Sequence, residues 1–210
     1  MLKLYDYKAA PSPRRARMFL AEKGIAHENI QVNLRSREQM GDAYRAINPR
    51  CTVPALVTPE GSVFTENAGI AAYLDNTHPE PPLLGTDALS RAKIAEWNWR
   101  CEFEGLSAVA EALRNSSPHM KDRAMTGPNN VAQIPELAER GKARLGWFFE
   151  ALNTQLAETD FVAGERYSIA DITATVTVDF AAWVKAAPDP SLTALAAWHE
   201  RMKLRDNYQA

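Results

Sequence analysis

The stretch that decides the fold is Asn48–Leu74, which reads NPRCTVPALVTPEGSVFTENAGIAAYL. Two short apolar runs, Ala55–Val57 and Val63–Phe64, flank a Thr-Pro-Glu-Gly turn, so the pattern predicts a β-hairpin. Pro54 lies directly before the first run, where a residue without an N–H can start a strand but cannot pair within one. Thr65 is expected to cap a helix that begins at the next residue, because apolar residues then recur at helical spacing.

This stretch contains two features that suit ligand recognition. The main-chain N–H and C=O of Val53, next to the proline, need a partner outside the sheet. The first turn of the following helix offers free N–H groups that bind anions, and the Glu66 carboxylate at the same place would hold an ammonium group. Together they suit a zwitterionic amino-acid group. The structural alternative is an edge proline and a carboxylate that only stabilises a helix start.

The composition indicates an ordinary globular protein. The chain has 210 residues, of which 46% are hydrophobic and 24% are charged, enough for one large domain or two small ones. The net charge of −2 does not favour nucleic acid as the main partner. No apolar run reaches the roughly 18 residues of a membrane span, and the N-terminus lacks the apolar stretch of a signal peptide. We therefore expect a soluble cytoplasmic protein.

The cysteines and histidines point to neither a disulfide framework nor a metal site. The two cysteines, Cys51 and Cys101, lie far apart in sequence, which favours reduced thiols. The four histidines are scattered without the spacing of metal ligands, so no metal is predicted.

The residues before Asn48 alternate between strand and helix patterns. Ser12 followed by Pro13 predicts a helix start with the serine as N-cap. The whole order, strand-helix-strand-helix-strand-strand-helix, predicts an α/β thioredoxin-like domain over residues 1–77. The four elements preceding the hairpin are predicted at Leu2–Tyr7, Ser12–Gly24, Ala26–Leu34 and Ser36–Ala46.

A proline-rich linker over 78–85 separates this region from an all-helical domain predicted over 86–210. Ser168 and Asp171 form a capping-box pattern before a run that is apolar nearly all round, which indicates a central buried helix. The predicted helices are Thr86–Leu113, Pro135–Leu156, Ile169–Ala186 and Ser191–Leu204.

The pattern N-P-x-x-x-V-P-A-L followed by T-E-x-x-x-I-x-x-Y-L resembles the glutathione-binding half of the cytosolic glutathione transferases. The helical half resembles the C-terminal domain of the same family, in which S-x-A-D opens the core helix. The resemblance implies a homodimer with glutathione as co-substrate. It implies a cis Val53–Pro54 bond, a main-chain pairing of Val53 with the cysteinyl residue, and a γ-glutamyl group held by Glu66 and by Asn67, which stands where serine is usual.

The resemblance also assigns the glycyl end of glutathione. Thr52 stands where the family often has Lys or Gln, and Gln39 lies at the place of a His or Gln in the preceding helix. Arg50, Arg35 and Arg14 are candidates to replace the missing lysine in a contact with the glycyl carboxylate. The structural alternative for each arginine is an exposed, solvated side chain.

Enzymes of this family stabilise the glutathione thiolate with a hydroxyl or thiol donor in the loop after the first strand. Ser12 is the first candidate donor here and Tyr7 the second, whereas Ala10 stands where many serine-type members carry their serine. The structural alternatives are a plain N-cap for Ser12 and a core aromatic for Tyr7. Cys51, where glycine is frequent, is expected to be a small packed residue.

The electrophile is expected to bind between the two domains, against Tyr7, Trp99 and Phe103. The predicted activity is conjugation of glutathione to small hydrophobic electrophiles. The alternatives are a glutathione-dependent isomerase, dehalogenase or peroxidase, or a non-catalytic binding protein with the same scaffold.

Overall fold

The computed structural model describes residues 1–210, which form two compact units. The N-terminal unit contains Met1–Pro81 together with Thr126–Asn129 and Gln209–Ala210. The C-terminal unit contains Pro82–Met125 and Asn130–Tyr208.

The N-terminal unit is built on a mixed four-stranded sheet in the order β2-β1-β3-β4. Strand β1 is parallel to β2 and antiparallel to β3, and β3 is antiparallel to β4. The strands are β1 (Leu2–Asp6), β2 (His27–Gln31), β3 (Ala55–Val57) and β4 (Val63–Phe64). The β3–β4 pair confirms the hairpin predicted from the turn residues.

Three helices accompany the sheet: α1 (Pro11–Glu22), α2 (Asp42–Arg45) and α3 (Asn67–Thr77). Helices α1 and α3 pack against each other over a core that includes Leu4, Phe19, Leu56 and Leu74. The element order and the mixed sheet confirm the predicted thioredoxin-like architecture. The helix predicted over Ser36–Ala46 is instead a 3₁₀ turn at Glu38–Met40 followed by α2, because Gly41 between them is extended.

The predicted start of α1 is wrong by two residues. Ala10 is the N-cap, with extended backbone angles and no side-chain cap, and Pro11 occupies the first turn. Pro11 is the first helical residue, where proline is favoured, and Pro13 lies two residues further in the same turn. Ser12 therefore lies inside the first turn and is not the cap.

The predicted start of α3 is also displaced. The helix begins at Asn67 and its N-cap is Glu66, which makes no side-chain capping bond. Thr65 is consequently outside the helix and does not cap it. The shift places Glu66 at the boundary between strand and helix.

The C-terminal unit is all helical, as predicted. Its helices are α4 (Ala88–Arg100), α5 (Ser107–Ser116), α6 (Pro135–Glu158), α7 (Ile169–Ala181) and α8 (Thr193–Lys203). A π-helical turn, Cys101–Leu106, joins α4 to α5, so the long helix predicted over Thr86–Leu113 is present with one widened turn. Short 3₁₀ turns lie at Pro118–Met120, Ala182–Val184 and Asp206–Gln209.

Helix α7 forms the centre of this unit and begins with the predicted capping box. Ser168 and Asp171 are both fully buried. The Asp171 carboxylate accepts hydrogen bonds from the Ser168 N–H, the Val162 N–H and the Trp198 indole N–H. Burial raises the pKa of Asp171 to about 6, so the group is still ionised at neutral pH. One carboxylate thus joins the preceding loop, α7 and α8.

Two glycines of α6 differ sharply in their surroundings. A Cβ at Gly141 would lie 2.7 Å from the main-chain oxygen of Ala108 and 2.9 Å from the nitrogen of Ala112, both on α5. A Cβ at Gly146 would meet nothing within 4 Å. Only the first glycine is therefore required for the close approach of α5 and α6.

We predict that Gly141→Ala lowers the free energy of unfolding by about 1–3 kcal/mol, because a backbone clash cannot be relieved by a side-chain movement. Gly146→Ala is the matched control in the same helix, and it is expected to raise stability by up to about 1 kcal/mol. Urea denaturation of both variants measures the difference. Equal stability of the two variants would contradict the close packing.

Candidate functional site

The candidate site surrounds the peptide bond between Val53 and Pro54, which is cis. Val53 is half-buried, and neither its main-chain N–H nor its C=O makes a hydrogen bond within the chain. Pro54 is buried and leads directly into β3. The bend therefore leaves a peptide donor and acceptor available at the end of the sheet.

Asn48 organises the loop that leads to this bend. Its fully buried side chain donates to the Thr52 carbonyl oxygen at 2.8 Å and to the Thr52 hydroxyl at 3.0 Å. Its side-chain oxygen accepts from the Arg50 N–H at 3.0 Å, and its main-chain oxygen accepts from the Cys51 N–H at 2.9 Å. One side chain thus closes the whole turn before Val53.

Tyr44 holds the same carbonyl group from a second direction. Its hydroxyl donates to the Thr52 carbonyl oxygen at 2.6 Å. Burial raises the pKa of Tyr44 to about 12, so the phenol stays protonated and keeps donating. The Thr52 carbonyl is therefore satisfied within the protein, whereas the N–H and C=O of the next residue, Val53, have no partner there.

Cys51 is packed inside this loop, in the role predicted for it. It is buried, and its φ of 55° lies in the left-handed region that favours glycine. Its thiol donates to the Pro49 carbonyl oxygen at 3.6 Å.

The start of α3 presents charged and polar groups. The Glu66 carboxylate lies 3.3 Å from an Arg50 guanidinium nitrogen, and the two side chains are 63% and 69% exposed. Such an exposed pair contributes roughly 0–1 kcal/mol, so both charges remain available to a ligand. The N–H groups of Asn67 and Ala68, in the first helical turn, have no intrahelical acceptor.

Asn67 is turned inward, towards the first turn of α1. Its side-chain N–H group donates to the Ser12 carbonyl oxygen at 3.1 Å and to the Ser12 hydroxyl at 2.9 Å. Because a carbonyl oxygen can only accept, the orientation of the amide is fixed. The Ser12 hydroxyl acts as an acceptor here, and its own proton makes no hydrogen bond within the chain.

The two tyrosines near the end of β1 have different surroundings. Tyr5 lies inside the strand, and its ring meets the Tyr44 ring edge-on with centroids 5.9 Å apart. Tyr7 follows the strand, is half-buried, and accepts the Ala10 N–H at its main-chain oxygen. Tyr7 and Ser12 therefore lie on either side of the short connection between β1 and α1.

Gln39 lies in the 3₁₀ turn before α2 and is 4% exposed. Its side-chain oxygen is buried and receives no hydrogen bond. Burying a polar oxygen without a hydrogen bond lowers stability by roughly 1–3 kcal/mol, and most buried polar groups avoid this cost by pairing.

The predicted electrophile-binding aromatics of the C-terminal unit form an exposed pair. Trp99 on α4 and Phe103 in the π-helical turn stack with centroids 4.8 Å apart, and they are 57% and 55% exposed. The Arg144 guanidinium of α6 lies 5.4 Å from the Phe103 ring. The pair is an apolar surface bordered by a cation.

The N-terminal unit also contains a cavity, which is lined by residues other than those of the candidate site. It has a volume of about 470 Å³, and its lining residues include Lys3, Tyr5, Ile47, Val57 and Val63. None of the candidate glutathione-binding residues lines it.

No group of three or more His, Cys, Asp or Glu side chains is arranged to hold a metal ion. No helix is both long and apolar enough to span a membrane.

Sequence reasoning missed three contributions to the site. It identified the turn at Asn48 without the side chain that closes it, and it did not identify Tyr44. It considered Arg50 for the glycyl carboxylate, whereas the structure pairs Arg50 with Glu66. The asparagine before a proline was the one available signal, since Asn side chains bond to the main chain of turns.

Comparisons with known proteins converge on one family. A family model described as "Glutathione S-transferase, N-terminal domain" matches residues 10–77, and one described as "Glutathione S-transferase, C-terminal domain" matches residues 106–206. Glutathione S-transferase 2 of Saccharomyces cerevisiae is 33% identical over 207 residues, which cover 96% of this chain and 85% of the yeast protein.

Two further matches are similar to this chain in structure or in sequence. A crystal structure of a glutathione S-transferase domain-containing protein from Marinobacter aquaeolei VT8 superimposes with a TM-score of 0.91 at 31% identity, covering 98% of this chain and 99% of that one. Maleylacetoacetate isomerase of Pseudomonas aeruginosa is 39% identical over 94 residues, which are 44% of each chain.

We predict that Asn48→Ala lowers the free energy of unfolding by about 2–3 kcal/mol, because the Thr52 carbonyl, the Thr52 hydroxyl and the Arg50 N–H each lose a hydrogen bond to a fully buried side chain. Asn76→Ala is the control, since Asn76 is exposed on α3 and makes one side-chain bond to Ala72. Chemical denaturation of both variants measures the two costs. If Asn48→Ala loses no more unfolding free energy than Asn76→Ala, the loop does not depend on the Asn48 side chain.

Proposed function

Because the chain belongs to the glutathione S-transferase family, we propose that it conjugates the thiolate of glutathione to small hydrophobic electrophiles. The observation that carries the proposal is the pair of unpaired main-chain groups at Val53, next to Pro54, together with the exposed Glu66 carboxylate at the start of α3. A peptide ligand with a free amino terminus matches both features.

In this proposal the N-terminal unit binds glutathione along its length. The main chain of Val53, set by Pro54, pairs with the cysteinyl residue, and Glu66 takes the γ-glutamyl ammonium group. Asn67 contributes its main-chain N–H at the start of α3, where anions bind favourably. Gln39 and Thr52 are assigned to the glycyl end, as the sequence resemblance implies.

Ser12 is proposed to stabilise the thiolate. A free thiol has a pKa of about 8.5, and a hydroxyl donor or a helix N-terminus beside the sulfur lowers it. The Ser12 hydroxyl already accepts a bond from Asn67 and has a proton left to donate, and it lies in the first turn of α1. Tyr7 is the alternative donor.

The electrophile is proposed to contact Trp99 and Phe103 of the C-terminal unit. The exposed stack of Trp99 on Phe103 supports this assignment, since it offers apolar surface to a small hydrophobic molecule. Steady-state assays with aryl halides, epoxides and peroxides test the activity. Absence of turnover on every class at saturating glutathione would count against it.

The sequence resemblance also supports a homodimer. A cytoplasmic location and a role in detoxification complete the proposal. Sedimentation of the purified protein measures the oligomeric state, and a monomer at micromolar concentration would argue against the dimer.

A second candidate activity is glutathione-dependent isomerisation. The 39% identity to a maleylacetoacetate isomerase over 94 residues favours it. Product analysis separates isomerisation, dehalogenation and peroxide reduction from conjugation. A non-catalytic binding protein is the remaining alternative, supported by Ala10 and Asn67 at positions where serine is usual. Retained glutathione binding without turnover of any substrate would favour it.

We predict that Glu66→Ala weakens glutathione binding by about tenfold or more, because a hydrogen bond to a charged group contributes about 1.5–3 kcal/mol. Glu60→Ala, in the exposed hairpin turn, is the charge-matched control. Isothermal titration calorimetry gives both dissociation constants. An unchanged constant in Glu66→Ala would refute the assignment.

We predict that Ser12→Ala raises the pKa of the bound glutathione thiol towards the free value of about 8.5. Thiolate absorbance recorded across pH measures this pKa. Tyr7→Phe is the parallel variant, and it is expected to leave the pKa unchanged. If Ser12→Ala titrates like the wild type while Tyr7→Phe shifts upward, the donor is Tyr7.

A further inference from the structure

The side chain of Arg50 is exposed, and its main chain is held by the turn. The Arg50 N–H donates to the Asn48 side chain at 3.0 Å. Its main-chain oxygen faces Gly127, where an added Cβ would lie 3.4 Å away. The guanidinium is 69% exposed and its recorded partner is the Glu66 carboxylate, itself 63% exposed, at 3.3 Å.

We propose that Arg50 is a further binding residue, which takes the α-carboxylate of the γ-glutamyl group when glutathione binds. This inference rests on the proposed function. On binding, the Glu66 carboxylate leaves Arg50 and pairs with the ligand ammonium group. The Arg50 guanidinium then pairs with the ligand carboxylate. Guanidinium groups suit this role because their planar donors match a carboxylate.

The exchange has a low energetic cost. An exposed ion pair contributes roughly 0–1 kcal/mol, so separating Arg50 from Glu66 loses little. The ligand carries an ammonium and a carboxylate on one carbon atom, and the protein pair carries the opposite charges side by side. Each charge therefore has a partner both before and after binding.

The position of Asn67 explains why a residue outside α3 is needed. Where the family usually has a serine beside the glutamate, this chain has an asparagine whose side-chain donor is already used on Ser12 twice. The main-chain N–H groups of the first turn of α3 remain for one carboxylate oxygen. Arg50 supplies the side-chain donor that Asn67 does not.

The alternative role for Arg50 is that of a competitor. In that role its guanidinium only neutralises Glu66 and keeps the ligand ammonium group away from the carboxylate. The two roles predict opposite changes on removal of the guanidinium. Loss of a ligand contact weakens binding, whereas loss of a competitor strengthens it.

The test is calorimetric titration of the wild type and Arg50→Gln with three peptides. These are glutathione, 4-aminobutyryl-cysteinyl-glycine, which lacks the α-carboxylate, and glutaryl-cysteinyl-glycine, which lacks the ammonium group. Arg50→Gln is expected to weaken binding of glutathione by about tenfold or more, and to weaken the glutaryl peptide similarly. Binding of the peptide without the carboxylate is expected to stay unchanged.

Arg45→Gln is the matched control, because it removes one exposed positive charge from the same unit. It is expected to bind glutathione like the wild type. Two results would overturn the role of Arg50 and leave the proposed function standing. One is that Arg50→Gln binds glutathione as tightly as the wild type or more tightly. The other is that Arg50→Gln loses as much affinity for the peptide without the carboxylate as for glutathione. A wild type that binds no glutathione overturns both.

Discussion

The convergence of two buried donors on one carbonyl group is the constraint on which the site depends. Asn48 and Tyr44 both donate to the Thr52 carbonyl oxygen, and neither side chain is exposed to solvent. A loop that turns into a strand after a proline must satisfy its polar groups inside the protein or present them outside. Here the carbonyl oxygen and the hydroxyl of Thr52 accept hydrogen bonds within the protein, whereas the N–H and C=O of Val53 have no partner there.

The site combines rigid and adjustable parts in a way that suits binding of a flexible peptide. The loop before β3 and the contact of Asn67 with Ser12 are buried and hydrogen-bonded. The charges of Arg50 and Glu66 are exposed and weakly paired. Fixed main-chain groups define the position of the ligand backbone at little entropic cost. The exposed charges can then pair with its zwitterionic end.

Local patterns predicted the fold well and the site partly. The hairpin around Pro54 and the capping box at Ser168 follow from turn and cap residues adjacent in sequence, and the structure contains both. The predicted start of α1 was wrong because the Ser-Pro pair at 12–13 is a cap pattern, whereas the helix begins one proline earlier, at Pro11. Contacts such as Asn67 with Ser12 join residues 55 positions apart. Neither periodicity nor propensity encodes such pairs, so they could not be derived from the chain alone.

A crystal structure of the protein with bound glutathione tests the central claim most directly. We expect the cysteinyl main chain of the tripeptide within hydrogen-bonding distance of both the N–H and the C=O of Val53. We expect its amino terminus against the Glu66 carboxylate. A tripeptide bound elsewhere, with the Val53 groups and Glu66 both facing solvent, would contradict the account.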